Sequence, residues 1–244
     1  MTEFPVLSKK VAPAELVVFF DFEGTQFSHK AIAVGINAYE KNAGDLFPLN
    51  GEVISYKAYI QTRDKIGPVV KKMTGIDEGL LKKEGKPFAT VIKEIINLTR
   101  NYPKKVYISY GEMDLKILSG SLNFHDDYQA SFFRHVTRNY LDFHEYISRF
   151  LIDENGQSLS IEKLLNYYHL MEKGSAHDPL FDSKALMDIF LSYIKSPNRT
   201  IDEVIATYGN NRNVKNINRE LVLKLIRKGK VEYSDLKEAI ANTL

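Results

Sequence analysis

Residues 16–25 read LVVFFDFEGT, an apolar run rich in Val and Phe that ends in two carboxylates and a glycine. Such a run predicts a strand buried on both faces, in the middle of a sheet. Side chains two apart on a strand share a face and lie about 7 Å apart along it, so Asp21 and Glu23 project together while Phe22 turns away. Adjacent like charges beside a core are costly unless a cation binds them, and a divalent metal is the natural candidate. A lone Asp-x-Glu also has a plainer reading, a strand fraying into a solvated acidic turn. Carboxylates elsewhere in the chain have to decide between the two.

Outward from this stretch, AIAVGINAY (31–39) and VISYKAYI (53–60) have strand composition and are separated by the turn-rich segment 41–51, which predicts an antiparallel three-strand meander. Residues 71–85 predict a short helix with loops. Pro87 opens a further helix whose stripe is Phe88, Val91, Ile92, Ile95, Ile96 and Leu98. Val106 to Tyr110 predicts a strand and Met113 to Leu118 a helix, so the chain passes from meander to strand-helix alternation, an α/β mixed sheet flanked by helices. The weak pattern of residues 121–137 suggests a loop and an irregular helix, followed by a short strand closing at Leu141 and a helix through Leu151. Asn155-Gly156 marks a turn, Ser160 caps a helix over 161–170, and Gly174 breaks the pattern. Asp178-Pro179 reads as cap and first residue of a long helix ending near Ile194. Residues 196–199 look like a linker, Thr200 and Glu203 have capping-box spacing, and Ser234 starts a last helix. The expected organisation is an N-terminal extension (1–14), a main domain (15–195) and a small helical C-terminal extension (196–244).

Composition narrows the chemistry. In 244 residues, 44% apolar, 33 Lys and Arg face 31 Asp and Glu, too even a balance to hold long nucleic acid nonspecifically, so any such binding is local. The basic part is the tail, where residues 198–244 hold nine Lys or Arg against six Asp or Glu. Its cations, Lys215, Arg219, Lys224, Arg227, Lys228 and Lys230, either contact phosphates or form the solvated face of an appendage whose Leu221, Leu225, Leu236 and Ile240 pack on the domain. The absence of cysteine excludes disulfides, thiolate sites and a Cys nucleophile, and leaves oxygen and imidazole ligands suited to hard cations. No signal-peptide core stands in Met1–Lys10 and no apolar run approaches the ~18 residues of a membrane span, so a soluble cytoplasmic protein is expected.

Two further carboxylates head apolar helical stripes. Asp114 precedes Ile117 and Leu118 after the Val106 strand, and Asp182 precedes Leu186, Ile189 and Tyr193 in the first turn of the Pro179 helix. Each alone would be read as a helix-dipole residue. His177 cannot share a helix face with Asp182 and belongs on the loop before it. His125-Asp126-Asp127 is a competing metal motif without a partner cluster, and His29, His135, His144 and His169 read as surface or satisfied structural residues.

Taken in order, Asp21, Glu23, Asp114, His177 and Asp182 resemble the DEDDh branch of the ribonuclease-H-like 3′-to-5′ exonucleases, which includes oligoribonuclease, ribonuclease T and polymerase proofreading subunits. The matching pieces are FDFEGT (20–25), SYGEMDLKIL (109–118) and AHDPLFDSKAL (176–186), with MTGI (73–76) between the first two. The likeness spans about residues 15–195. Ser-Tyr-Gly before Asp114 is closest to the RNA-trimming branch, while Gly24 stands where Thr is commoner and Ser183 where Ala is usual. The resemblance implies a ribonuclease-H-like fold, with Asp21, Glu23, Asp114 and Asp182 holding two Mg²⁺ or Mn²⁺ ions and His177 as general base. It further implies release of nucleoside 5′-monophosphates from single-stranded 3′ ends, RNA slightly favoured over DNA, with Glu23, Gly24, Thr25 and Phe27 holding the terminal nucleotide. Replacing Asp114 by Ala is expected to abolish turnover and to hold or raise metal-free stability. A homodimer is left open, and the alternative is a nucleic-acid-binding or scaffold protein that keeps the fold with weak or no turnover.

Overall fold

In the computed structural model, which describes residues 5–170, 177–206 and 214–242, a helix α1 (Pro5–Lys10) leads into strand β1 (Leu16–Gly24), the LVVFFDFEG stretch. Strands β2 (Ala31–Glu40) and β3 (Glu52–Tyr59) complete the antiparallel meander, with Asp21 opposite Gly35 and Gly35 opposite Lys57. Two short helices, α2 (Pro68–Thr74) and α3 (Glu78–Glu84), replace the single one expected between residues 71 and 85. Gly75 separates them by closing α2 in the left-handed conformation that glycine adopts at little cost. Helix α4 (Phe88–Thr99) buries Val91, Ile92, Ile95 and Thr99, while Leu98, read as part of its stripe, is turned outward.

Strand β4 (Lys105–Ser109) runs parallel to β1, helix α5 (Met113–Ser121) follows, and helix α6 (Asp127–Arg138) leads to β5 (Tyr140–Asp142), which runs parallel to β4. The sheet order is β3-β2-β1-β4-β5, the expected mixed sheet flanked by helices. The segment read as loop and irregular helix contains a regular one: Asp126 caps α6 through the Tyr128 and Gln129 amides, and Ala130, Phe132 and Val136 face the core. Asp126 is thereby a helix cap, not part of a His125–Asp127 metal motif. Of the histidines read as surface or satisfied structural residues, His135 differs, its buried Nε2 being left without a hydrogen-bond partner. Helix α7 (Phe143–Ile147) stops short of Leu151, and α8 (Ile161–Tyr167), capped by Ser160, stops short of Leu170. Gly174 lies outside the described residues.

Helix α9 (Pro179–Lys195) is followed at once by α10 (Pro197–Ala206), then by α11 (Val214–Lys228) and α12 (Tyr233–Ala241). The 196–199 linker is therefore replaced by a helix junction, where a proline fits a helix's first position because that amide has no intrahelical partner. Thr200 is buried inside α10, facing the Tyr168 hydroxyl, rather than capping it. The last helix starts at Tyr233, one residue before the expected Ser234, with Glu232 and Asp235 forming a capping box.

One core fills each face of the sheet. Val18, Phe20 and Phe22 of β1 meet α4, α5 and α6, and Val17 and Phe19 meet Phe143, Phe190 and Tyr193. The second core continues into Leu7 and Val11 at the start of the chain and into Ile201, Val204, Ile217, Ala239 and Ile240 near its end. Leu221 and Leu236 pack partly against it, whereas Leu225 is exposed. Among the described residues no helix is long and apolar enough to cross a membrane.

Candidate active site

Asp21 and Glu23 leave β1 on the face that carries α9, beyond the buried Val17 and Phe19. What brings α9 close is a missing side chain: a Cβ at Gly35 would stand 2.0 Å from the Pro179 carbonyl carbon and 2.1 Å from its oxygen. Two residues along β2, the buried Asn37 amide donates to the Leu180 carbonyl and to Ser183 Oγ, each at 2.8 Å. The first turn of α9 is thus seated on β2 beside Asp21, and Asp182 in that turn faces the β1 carboxylates. The positive end of the helix dipole favours negative charge there. The small residue at 183 has a role in this seat, since a hydroxyl there accepts the Asn37 amide.

Asp114 arrives from the opposite face, around the strand ends. The β1–β4 ladder stops at Phe19 and Ile108, which leaves the Phe22 amide open on that edge, and Asp114 Oδ1 accepts it at 2.7 Å in a buried bond. Ser109, fully buried, touches the Tyr140 hydroxyl at 2.7 Å, and both hydroxyls reach the Gly111 carbonyl. His177 stands on the loop before α9 in the left-handed backbone conformation, φ 65°. Its amide donates to Asp182 Oδ2 at 3.0 Å. One ligand atom from each of Glu23, His177 and Asp182 lies within 4.8 Å of the others.

The electrostatics follow from this crowding. Burial pushes the Asp21 carboxyl well above the usual carboxylate range, and Asp114, Glu23, Asp182 and Asp178 add to the push. Burial, then Asp182, Asp114 and Asp178, raises Glu23 to about 7. Asp114 is also raised to about 7, by burial, against the opposing hydrogen bond from the Phe22 amide. Asp21 Oδ2 is buried with no hydrogen-bond partner. An orphaned carboxylate oxygen among further carboxylates and one imidazole is the donor set of a hard divalent cation, so these residues fit such an ion.

The residues proposed to hold a nucleotide differ in availability. Phe27, at the tip of the β1–β2 turn, is 74% exposed. Thr25 is buried, with its hydroxyl against Ser28 Oγ at 2.7 Å and accepting the Lys30 amide at 2.9 Å, so that side chain shapes the turn. Gly24 lies against α5, where an added Cβ would meet Ile117 Cγ1 at 2.8 Å. A larger residue at this position would require the Ile117 side chain to shift. Thr74 and Ile76 of the MTGI segment line a cavity of about 90 Å³ with Lys57, Tyr59, His177, Asp178 and Pro179.

Sequence reasoning missed Gly35, Asn37, Lys57 and Tyr140. A glycine inside a strand is a signal of close backbone approach, and AIAVGINAY carries one. The other three become visible only once strands and helices are paired.

No family model matches the sequence, and no curated protein matches it. Solved structures do. The fold is similar to cell-death related nuclease 4 at 17% identity and TM-score 0.54, over 75% of this chain and 64% of that one. It is similar to the nuclease domain of 3′hExo, a DEDDh family member bound to rAMP, at 16% identity and TM-score 0.54, over 75% of this chain and 93% of that domain. It is similar to E. coli exonuclease I with a dA16 oligonucleotide at 14% identity and TM-score 0.55, over 79% of this chain but 43% of that one. The chain therefore spans less than two thirds of two of these three proteins. What the chain shares with them is the fold, a ribonuclease-H-like mixed sheet flanked by helices.

Proposed function

We propose that the protein is a metal-dependent 3′-to-5′ exonuclease that releases nucleoside 5′-monophosphates from single-stranded 3′ ends, with RNA slightly favoured over DNA. The observation that carries this reading is the meeting of Asp21, Glu23, Asp114 and Asp182, drawn from β1, α5 and α9, with His177 beside them and a buried carboxylate oxygen left without a partner. These carboxylates would hold two divalent ions, Mg²⁺ or Mn²⁺. When bound, such ions supply charge that stabilises an in-line phosphoryl transfer.

The chain's own residues do the rest. Asp21 and Glu23 share one rigid strand, so their spacing is set by the backbone. Asp114 is oriented by the Phe22 amide, and Asp182 by the His177 amide. His177, beside Glu23 and Asp182, takes the proton of the attacking water as general base, a task suited to imidazole near neutral pH. The backbone of Glu23 to Thr25 faces the terminal nucleotide, and Phe27 offers it an exposed ring for stacking.

The decisive experiment uses end-labelled RNA and DNA oligonucleotides, single and double stranded, with Mg²⁺, Mn²⁺ or EDTA. Stepwise shortening from the 3′ end of single strands, lost in EDTA, with mononucleotides as product, is the expected result. Tight binding without shortening in either metal would establish a binding protein on an exonuclease fold instead.

A further inference from the structure

We infer that Lys57 is a positioning residue for His177, acting through Asp178; this rests on the exonuclease reading above. Asp21, Gly35 and Lys57 are directly opposite one another across β1, β2 and β3, and directly opposite residues present their side chains on one face. The start of α9 occupies the bare space over Gly35. Lys57 therefore flanks the helix start on the side away from Asp21. Its Nζ meets Asp178 Oδ2 at 2.6 Å and lies 5.2 Å from the Tyr59 ring centroid. The other carboxylate oxygen of Asp178 accepts the Leu180 and Phe181 amides at 3.0 and 3.4 Å and so caps α9. One carboxylate is thus held by the helix on one oxygen and by the sheet on the other.

The residue before this clamp is His177, in a left-handed conformation that L-residues rarely adopt. Such a conformation persists only where its surroundings over-determine it. Among the described residues two ties bear on it: the His177 amide on Asp182, and Asp178 on Lys57. Asp182 is itself a carboxylate that a cation would engage. The Lys57 tie is independent of the metal and would keep the imidazole aimed at the site through the catalytic cycle.

The test compares Lys57→Met and Lys57→Arg with the parent, in turnover of a short single-stranded oligonucleotide with Mn²⁺ and in hydrogen exchange of the His177 amide in metal-free protein. Lys57→Met is expected to lower kcat roughly 10- to 100-fold, the scale of a misplaced catalytic group, with KM unchanged and His177 exchange faster. Lys57→Arg should retain most of the rate and the protection. In a His177→Ala background, Lys57→Met should cost nothing further. Losses that multiply in that background, or an unchanged amide, would overturn the assignment. Should Lys57→Met fail to fold, Asp178→Asn removes the ion pair while leaving a good cap and is read in the same way. A parent inactive on every substrate would refute the exonuclease reading, and the exchange comparison would then decide by itself whether Lys57 holds the loop.

Discussion

Charge is crowded at two places in this molecule, the end of β1 and the C-terminal helices, and the two are built in opposite ways. Around α11 and α12 several charges meet a counter-charge: Lys224 pairs with Asp235 and Glu238, Lys228 with Asp235, and Lys230 with Glu232. At the end of β1 carboxylates face carboxylates, the best buried of them far above their usual titration range. The first cluster is answered by ion pairs, whereas in the second burial and neighbouring carboxylates push in the same direction. Burial without a counter-charge is what turns a cluster of like residues into a candidate site.

The largest contrast should come from removing one carboxylate. Asp21→Asn is expected to lose at least about 10³-fold in turnover, because a ligand of the transition-state charge is gone. The same change should raise the melting temperature of metal-free protein at pH 8, because a repulsive buried charge is gone as well. A fall in that melting temperature would mean that the carboxylate is structurally paired and the contrast with the tail is false. His177→Ala should cost 10² to 10⁴ in kcat, the range of a general base, while calorimetric Mn²⁺ affinity stays near that of the parent. Loss of Mn²⁺ binding as severe as in Asp182→Ala would make the histidine a ligand.

The pH dependence of stability sharpens the same contrast. With Glu23 raised from 4.5 to about 7, the folded protein keeps a proton that the unfolded chain has released between those values. The Glu23 contribution to metal-free stability should therefore be fully present below about pH 4.5, be lost as pH rises through about 7 and then level off, a change on the order of 3 kcal/mol. Saturating Mn²⁺ should abolish the fall, since the cation binds the deprotonated site. Denaturant titrations across this range, with and without metal, measure it, and a pH-independent metal-free stability would remove the argument from repulsion.

Smaller effects separate the four carboxylates from one another. Asp114 accepts the Phe22 amide, so Asp114→Ala leaves a buried donor unpaired and should cost about 1–3 kcal/mol of metal-free stability. This differs from the expectation from sequence that its loss would be neutral or stabilising, and Asp114→Asn, which can still accept that amide, should cost less in the same denaturant titration. The smallest effect is expected in the tail: Lys224→Gln should leave both turnover and its salt dependence unchanged, because that cation is already engaged by Asp235 and Glu238. A flatter salt dependence would show that the tail contacts phosphates.

The carboxylates were legible because each interrupts a regular pattern: Asp21 and Glu23 end an apolar strand, and Asp114 and Asp182 stand at the head of apolar stripes. The meander was legible for the same reason, since period and turn residues agree along the chain. What could not be read depends on contacts distant in sequence. Helix α6 has an ordinary cap and core face, but its pattern is diluted by Tyr128 and Phe133, which stay partly or largely exposed. The junction at Pro197 looks like a break in one dimension and is a helix start in three. The Lys57–Asp178 pair joins residues 121 positions apart and has no local signature.

Gly35 gives the molecule a particular vulnerability. Asp182 and His177 both depend on α9 lying directly on that bare backbone, yet position 35 is not itself part of the chemistry. A single methyl group there would lift two members of the constellation off the other three without altering any of the five side chains. Such a protein would still carry, residue by residue, the complete set of motif side chains. An inventory of motif residues is therefore blind to the one atom whose absence lets them meet.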